Sequence, residues 1–315
     1  MGVEFEVVLY APSQEQASAA LDQAFARIAQ LDRSLSDYDP ASELSRLSAT
    51  STIAPGTAGS TPPPTAQPVI LGPDLWQVLV ASQELSQRSD GALDATIGPL
   101  TKLWRRARRQ KELPSQDRLA AARAAVGHAY LRLDPKQKTA QLLRPDMRLD
   151  LGGIAKGFAA DEALATIAKL GLARALVRAS GDIAAGEPPP GETGWRIGLA
   201  PLDPDDPPTR FVRLANRAIS TSGDARQHLV VDGRRYSHII DPRTGMGVGG
   251  RSSVTVIAPS GIVADGLATA VSVLGPEAGQ RLVEKYPAAA LFVVSEGEQG
   301  EQIVQTKNFA SFLER

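Results

Sequence analysis

The chain has 315 residues, with 34 Lys and Arg against 35 Asp and Glu for a net charge of −1, and 43% of it is hydrophobic. This is the composition of one large globular domain or two, with no charge bias toward nucleic acid or an anionic membrane. It has no cysteine and three scattered histidines (His128, His228, His238), which excludes disulfides, thiolate zinc, iron–sulfur clusters and cysteine nucleophiles and leaves oxygen-held hard cations as the metal class.

Val3, Phe5, Val7 and Leu9 alternate with Glu4, Glu6, Val8 and Tyr10, so the chain opens on a strand. No apolar run reaches the length of a membrane span, and no charged segment followed by an apolar one marks a leader. The expectation is a chain made without a signal, or one whose leader has been trimmed. Leu21, Ala24, Phe25, Ile28 and Leu31 recur at helical spacing and predict a helix from Ser13 to about Leu35. The Thr-, Ala-, Gly- and Pro-rich stretch 50–68 reads as a flexible surface insertion. Helices are expected from Pro73, with Leu75, Val78, Leu79 and Leu85 on one face, from Pro99 into the basic run 105–111, and from Ser115 to Val126. Charge runs on helices are mostly solvated faces, and the arginine run is read that way.

After Tyr130 the pattern turns to short strands: a hairpin of Tyr130–Leu133 and Thr139–Leu143, then Ala175–Ala179, Trp195–Ala200, Phe211–Leu214, His228–Val231, Arg235–Ile239 and Ser253–Ala258. Helices over Ile154–Leu170, Ala264–Leu274 and Pro276–Lys285, and a strand Ala289–Val294, complete the reading. Strands and helices intermix without regular βα alternation, which favours an α+β fold.

Gly245–Gly250 satisfies G-x-G-x-x-G, but a strand follows it rather than a helix, so it is a turn and not a dinucleotide fingerprint. Four other segments carry more polar chemistry than turns require. Ser89–Leu100 opens a helix whose first N–H groups suit a polar ligand, unless Asp94 or Thr96 is simply a cap. Asp150-Leu151-Gly152-Gly153-Ile154-Ala155-Lys156 puts a lysine in a helix's first turn, against the dipole; it either faces a negative or polar ligand or is an exposed lysine after a Gly-Gly turn. His238, ending a strand before Asp241-Pro242-Arg243-Thr244-Gly245, is a proton shuttle or phosphate contact, or else a structural histidine. Asp265 and Thr269, at i,i+4, present a carboxylate and a hydroxyl on one helix face, a pair that suits Mg²⁺ or is only a cap and a filler.

In this order these segments, with Met1-Gly2, Ser36–Leu47, Ser180-Gly181-Asp182 and Thr221-Ser222-Gly223, resemble the ApbE family of Mg²⁺-dependent FAD:protein FMN transferases over nearly the whole chain. The resemblance implies an ApbE-like, T-fold-related α+β fold of mixed, largely antiparallel sheets packed with helices. It would span residues 1–315 as a single domain or two intertwined α/β lobes. It implies FAD as substrate, Mg²⁺ as cofactor and an acceptor protein whose Thr or Ser hydroxyl takes FMN as AMP leaves. Tyr38 would stack on the flavin with Met1 close to the same ring, and Ala92, Leu93 and Asp94 would line the cofactor. Asp150 and Lys156 would hold the adenosine and phosphate portion with Ile240 in contact, and Asp182 joins this binding set. The Gly153 carbonyl, Asp265 and Thr269 would ligate Mg²⁺; His238 would sit beside the pyrophosphate, with His238 or Asp241 as base. FAD hydrolysis to FMN and AMP, or flavin binding without turnover, are the alternative activities. Family members usually work outside the cytoplasmic membrane. Val3, Ser48, Ser180 and Gly247 depart from the family's Thr, Asn, Gly and Pro, and the arginine-rich 105–109 run is atypical.

Overall fold

A computed structural model describes residues 2–51, 66–203, 205–224, 227–295 and 300–314. Met1 and most of the expected insertion (52–65) lie outside the described residues. The elements begin with β1 (Phe5–Leu9), α1 (Gln14–Leu35), α2 (Glu43–Ala49), β2 (Val69–Ile70), α3 (Pro73–Arg88), α4 (Gly98–Gln110), α5 (Gln116–Ala124), β3 (Leu131–Asp134) and β4 (Thr139–Leu142). They continue with α6 (Ala155–Lys169), β5 (Ala175–Ala179), β6 (Asp182–Ala185), β7 (Trp195–Gly198), β8 (Phe211–Leu214), β9 (Arg217–Gly223) and β10 (His228–Val231). Last come β11 (Arg234–Ile240), β12 (Gly247–Gly249), β13 (Ser252–Ala258), α7 (Gly261–Val283), β14 (Ala289–Ser295) and β15 (Glu301–Gln305). The fold is α+β with antiparallel strand pairing throughout the named ladders. Among the described residues no helix is long and apolar enough to cross a membrane.

Contacts divide the chain into two units, each assembled from separated stretches: residues 31–152 with 228–249, and residues 2–30 with 153–227 and 250–315. In the first unit a β2-β4-β3 sheet and a β10-β11-β12 sheet accompany α2 to α5. Leu100, Trp104 and Ala107 of α4 are buried with Leu119, Leu229 and Ile240, and the Trp104 indole N–H donates to the Gly245 carbonyl (2.8 Å). The apolar face of α4 is thus committed to a core, and its bases occupy the rest of the helix surface.

The second unit is built on a seven-stranded sheet in the order β1-β5-β6-β9-β13-β14-β15. Its register aligns Ile183, Ile219 and Ile257 on one face, where they are buried with Trp195, Ile197, Val212 and Leu214 of the β7-β8 hairpin. Because side chains alternate along a strand, Asp182 and Ala184 point to the opposite face, which α6 and α7 cover. These two helices approach with backbone almost touching backbone: a Cβ at Gly157 would lie 2.0 Å from the Gly261 carbonyl oxygen. Asp161 of α6 reaches across to cap α7, accepting from the N–H groups of Gly261 (2.6 Å) and Ile262 (3.0 Å), whereas the N-cap residue Ser260 makes no side-chain cap bond. Since backbone cannot yield as a flexible side chain can, Gly157→Ala is expected to force the helices apart and lower the unfolding free energy by about 3 kcal/mol, read by urea titration; a loss under about 0.5 kcal/mol would show that the crossing is soft.

Several expectations shift. The helix expected at Ala264 begins at Gly261, and the expected break before Pro276 appears as the non-helical Gly275 (φ 76°) inside α7. On α1 the buried seam is Ala20, Ala24, Ile28, Leu31 and Leu35, and Phe25 is exposed. Strands β2, β6, β9 and β15 and helix α2 have no counterpart in the sequence expectations, and the Gly245–Gly250 stretch expected as a turn contains the short strand β12.

Candidate functional site

Three groups of the expected residues belong to the first unit. The loop before α4 is organised by Asp94, which is buried. One carboxylate oxygen accepts from the Thr96 N–H (2.8 Å) and hydroxyl (2.7 Å), and the other from the His128 N–H (2.8 Å). Burial pushes the Asp94 carboxyl above its ordinary pKa, against these hydrogen bonds and the nearby His128. Ala92 and Leu93 are buried in the same loop, where the Leu93 N–H meets the Ser89 hydroxyl (3.3 Å). His128, one of the two histidines without an assigned part, thereby joins the framework of this loop through its main-chain N–H.

The second group joins Asp37, Tyr38, Arg105 and Asp150. Arg105 pairs with Asp37 through one amino group and approaches Asp150 through the other (3.1 Å), while its guanidinium carbon lies 4.3 Å from the centroid of the Tyr38 ring. The Asp150 carboxyl is raised by burial and by Asp37, against the pull of Arg105, and it also accepts from the Gly152 N–H (2.8 Å). Arg148 donates to the Asp37 carbonyl (2.8 Å). The basic run is therefore not wholly a solvated face. Trp104 and Ala107 are buried and Arg105 and Arg108 half-buried, whereas Arg106 and Arg109 are exposed. That 3.6-residue alternation around Trp104 was the sequence signal for Arg105, and the charge of its neighbours obscured it.

The third group is the hairpin turn after β11. His238 is half-buried, two residues short of the strand's end. Ile240 has its side chain in the core beside Trp104, so any ligand contact falls to its main chain. Asp241 is occupied: its carboxylate accepts from the Arg243 N–H (2.9 Å) and from two guanidinium nitrogens (2.8 and 3.0 Å), which closes the turn.

In the second unit, the half-buried Lys156 and the buried Asp182 and Asp265 form one cluster. The Lys156 ammonium lies 2.9 Å from Asp182 and 3.0 Å from both oxygens of Asp265, which also accepts from the Gly157 N–H (3.0 Å). Burial alone would lower the Lys156 pKa, but Asp265 and Asp182 outweigh it and hold the ammonium protonated. The Asp265 carboxyl is pushed up to about 6 by burial and by Asp182, despite Lys156. The exposed-lysine and simple-cap readings of these residues both give way, since Asp265 is only 1% exposed and one turn inside its helix. One turn further on, Thr269 abuts Gly153, where a Cβ would lie 3.0 Å from the threonine hydroxyl oxygen.

The donor chemistry fits a hard cation. Two carboxylates around one ammonium leave an excess negative charge in a buried place, and the groups beside it are oxygens. Among the described residues no cluster of three or more carboxylate and imidazole side chains is arranged to hold a metal, so main-chain and hydroxyl oxygens would have to complete the set.

Comparison with known proteins gives a consistent result. The ApbE family profile matches residues 1–292. The FAD:protein FMN transferase of Klebsiella pneumoniae is 31% identical over 324 aligned residues, covering 99% of this chain and 87% of that protein. The Escherichia coli K12 protein of the same name is 33% identical over 246 residues, covering 75% and 69%. Among solved structures, the flavin transferase ApbE of Vibrio cholerae superposes with a TM-score of 0.84 at 28% identity, covering 99% of this chain and 96% of that one. The apbe protein of Thermotoga maritima gives a TM-score of 0.81, also at 28% identity, over 100% and 97%. Matching sequence across nine-tenths of the chain and matching backbone across its length have one explanation: this protein belongs to the ApbE family.

Proposed function

We propose that the protein is an FAD:protein FMN transferase that uses Mg²⁺ to move FMN from FAD to a Thr or Ser hydroxyl of an acceptor protein and releases AMP. The observation that carries the reading is the Lys156–Asp182–Asp265 cluster, whose excess negative charge stands beside Thr269 and Gly153. In the transfer, the acceptor oxygen forms a bond to the FMN phosphorus as the bond from that phosphorus to the AMP oxygen breaks. The hydroxyl proton passes to a base. Such chemistry asks the protein for placement and charge balance more than for covalent participation.

Asp265, Thr269 and the Gly153 carbonyl would hold Mg²⁺. Bound there, Mg²⁺ would neutralise phosphate charge and stabilise the departing AMP oxygen. Lys156 keeps its proton between two carboxylates, so it presents a fixed positive charge toward phosphate and holds Asp265 and Asp182 in place. Tyr38 offers a ring for the flavin, with Met1 assigned to the same ring by resemblance, and Asp150 and the main chain of Ile240 take the adenosine portion. The Asp94 loop, with Ala92 and Leu93, lines the ligand as a prebuilt wall. Asp241 is spent on Arg243, so the reading assigns the base to His238 and the shape of the turn to Asp241.

The test is incubation with FAD and Mg²⁺, with and without a threonine-bearing acceptor domain, following acceptor mass and AMP. An acceptor that gains the mass of FMN as AMP appears supports transfer. Free FMN and AMP with the acceptor unmodified would mean that water is the acceptor, and absence of FAD binding would overturn the reading.

A further inference from the structure

Arg105 stands apart from its basic neighbours on α4. Its side chain is 22% exposed, and it reaches Asp37 and Asp150, whose side chains are 10% and 5% exposed. It also covers part of the Tyr38 ring, a residue that remains 66% exposed. We propose that Arg105 is a positioning residue that couples the two ends of the FAD site, fixing Tyr38 and Asp150 in one arrangement through a single guanidinium. This rests on the reading above, in which Tyr38 takes the flavin and Asp150 the adenosine portion.

The geometry uses every property that separates arginine from lysine. Two amino groups of one planar fork go to two different carboxylates, and the plane lies over an aromatic ring. Asp37 and Asp150 would repel each other without a cation between them. The segment that carries Tyr38 is held from both sides of Asp37, by Arg148 on its carbonyl and Arg105 on its carboxylate. Tyr38 is little held by burial, so the guanidinium over its ring and the Asp37 anchor contribute to where the ring stands, with Arg108 as a further charged neighbour.

The full chain tests this by titration with FAD, FMN and AMP separately, together with double-mutant cycles pairing Arg105→Ala with Tyr38→Ala and with Asp150→Asn. FAD dissociation constants are expected to rise roughly 10- to 100-fold in Arg105→Ala, with FMN and AMP each weakened. Arg105→Lys should fail to rescue, because an ammonium supplies neither the fork nor the plane. The loss is expected to appear in KM for FAD, with kcat at saturation changed less than about threefold. In the Tyr38→Ala and Asp150→Asn backgrounds the same replacement should cost at least about threefold less, the signature of coupling. FAD affinity within about twofold of the starting chain, or losses that simply add, would overturn the proposal while leaving the transferase reading intact. A starting chain that binds no FAD would overturn both. A variant that melts lower is judged by the same cycles, since loosened folding alone adds across backgrounds and coupling does not.

Discussion

Asp265→Ala is expected to lower the rate of FAD cleavage by about a thousandfold. A hard cation acting on a phosphoryl oxygen is worth several kcal/mol of transition-state stabilisation, and each ~1.4 kcal/mol is tenfold in rate. Asp265 supplies the carboxylate of the proposed metal set and receives both the Lys156 ammonium and the Gly157 N–H. Its removal leaves Lys156 with Asp182 alone, and disrupting a buried ion pair costs about 3–5 kcal/mol of stability, so the alanine variant is compared with Asp265→Asn. The amide keeps the shape and an acceptor for Gly157 but not the charge. A folded Asp265→Asn chain, melting within a few degrees of the parent and inactive at all Mg²⁺ concentrations, separates the chemical role from the structural one. Unchanged turnover in either variant, or parent turnover insensitive to a chelator, would remove Mg²⁺ from the account.

The second large effect belongs to His238. A positioned general base contributes on the order of 10²–10⁴ to a proton-transfer-limited rate, so His238→Ala is expected to lower transfer to the acceptor by about that range. FAD affinity should hardly move. Asp241→Asn should cost less than about tenfold, because Asp241 is bonded to the main chain and guanidinium of Arg243 and closes a turn. A steady-state comparison of the two variants decides the assignment. If Asp241→Asn is the more damaging and His238→Ala nearly silent, the base has been placed on the wrong residue.

The long amphipathic elements were legible in the sequence because their periodicity coincides with their burial, as in α3 with Leu75, Val78, Leu79 and Leu85. Strand β9 was not. Its Ser220, Thr221, Ser222 and Gly223 have the composition of a turn, yet it runs through the middle of the seven-stranded sheet. Tertiary partners make this possible: Ser220 donates to Asp182, and Thr221 meets Thr255 at 2.9 Å. Strand β6 was hidden likewise, behind a Ser-Gly-Asp tripeptide whose Ser180 takes φ 59° to turn the chain into it. At the site, residue types were readable but partnerships were not. Lys156 stands out by its place in a first helical turn, but nothing local announces that Asp182 and Asp265, far along the chain, flank it. For Arg105 the helical period around Trp104 marks a half-buried face, but it does not name Asp37 and Asp150 as the acids met there.

The segmental make-up of the two units has a temporal consequence. Strand β1 finds its ladder partner only when β5 has been made, and β9 and β13 follow later still. At ordinary rates of synthesis, the wait between Leu9 and Ala175 lasts roughly ten to thirty seconds. Through that interval Phe5, Val7 and Leu9 must be kept from pairing with something else. Charges beside a hydrophobic strand oppose such pairing, and Glu4 and Glu6 stand beside these three residues.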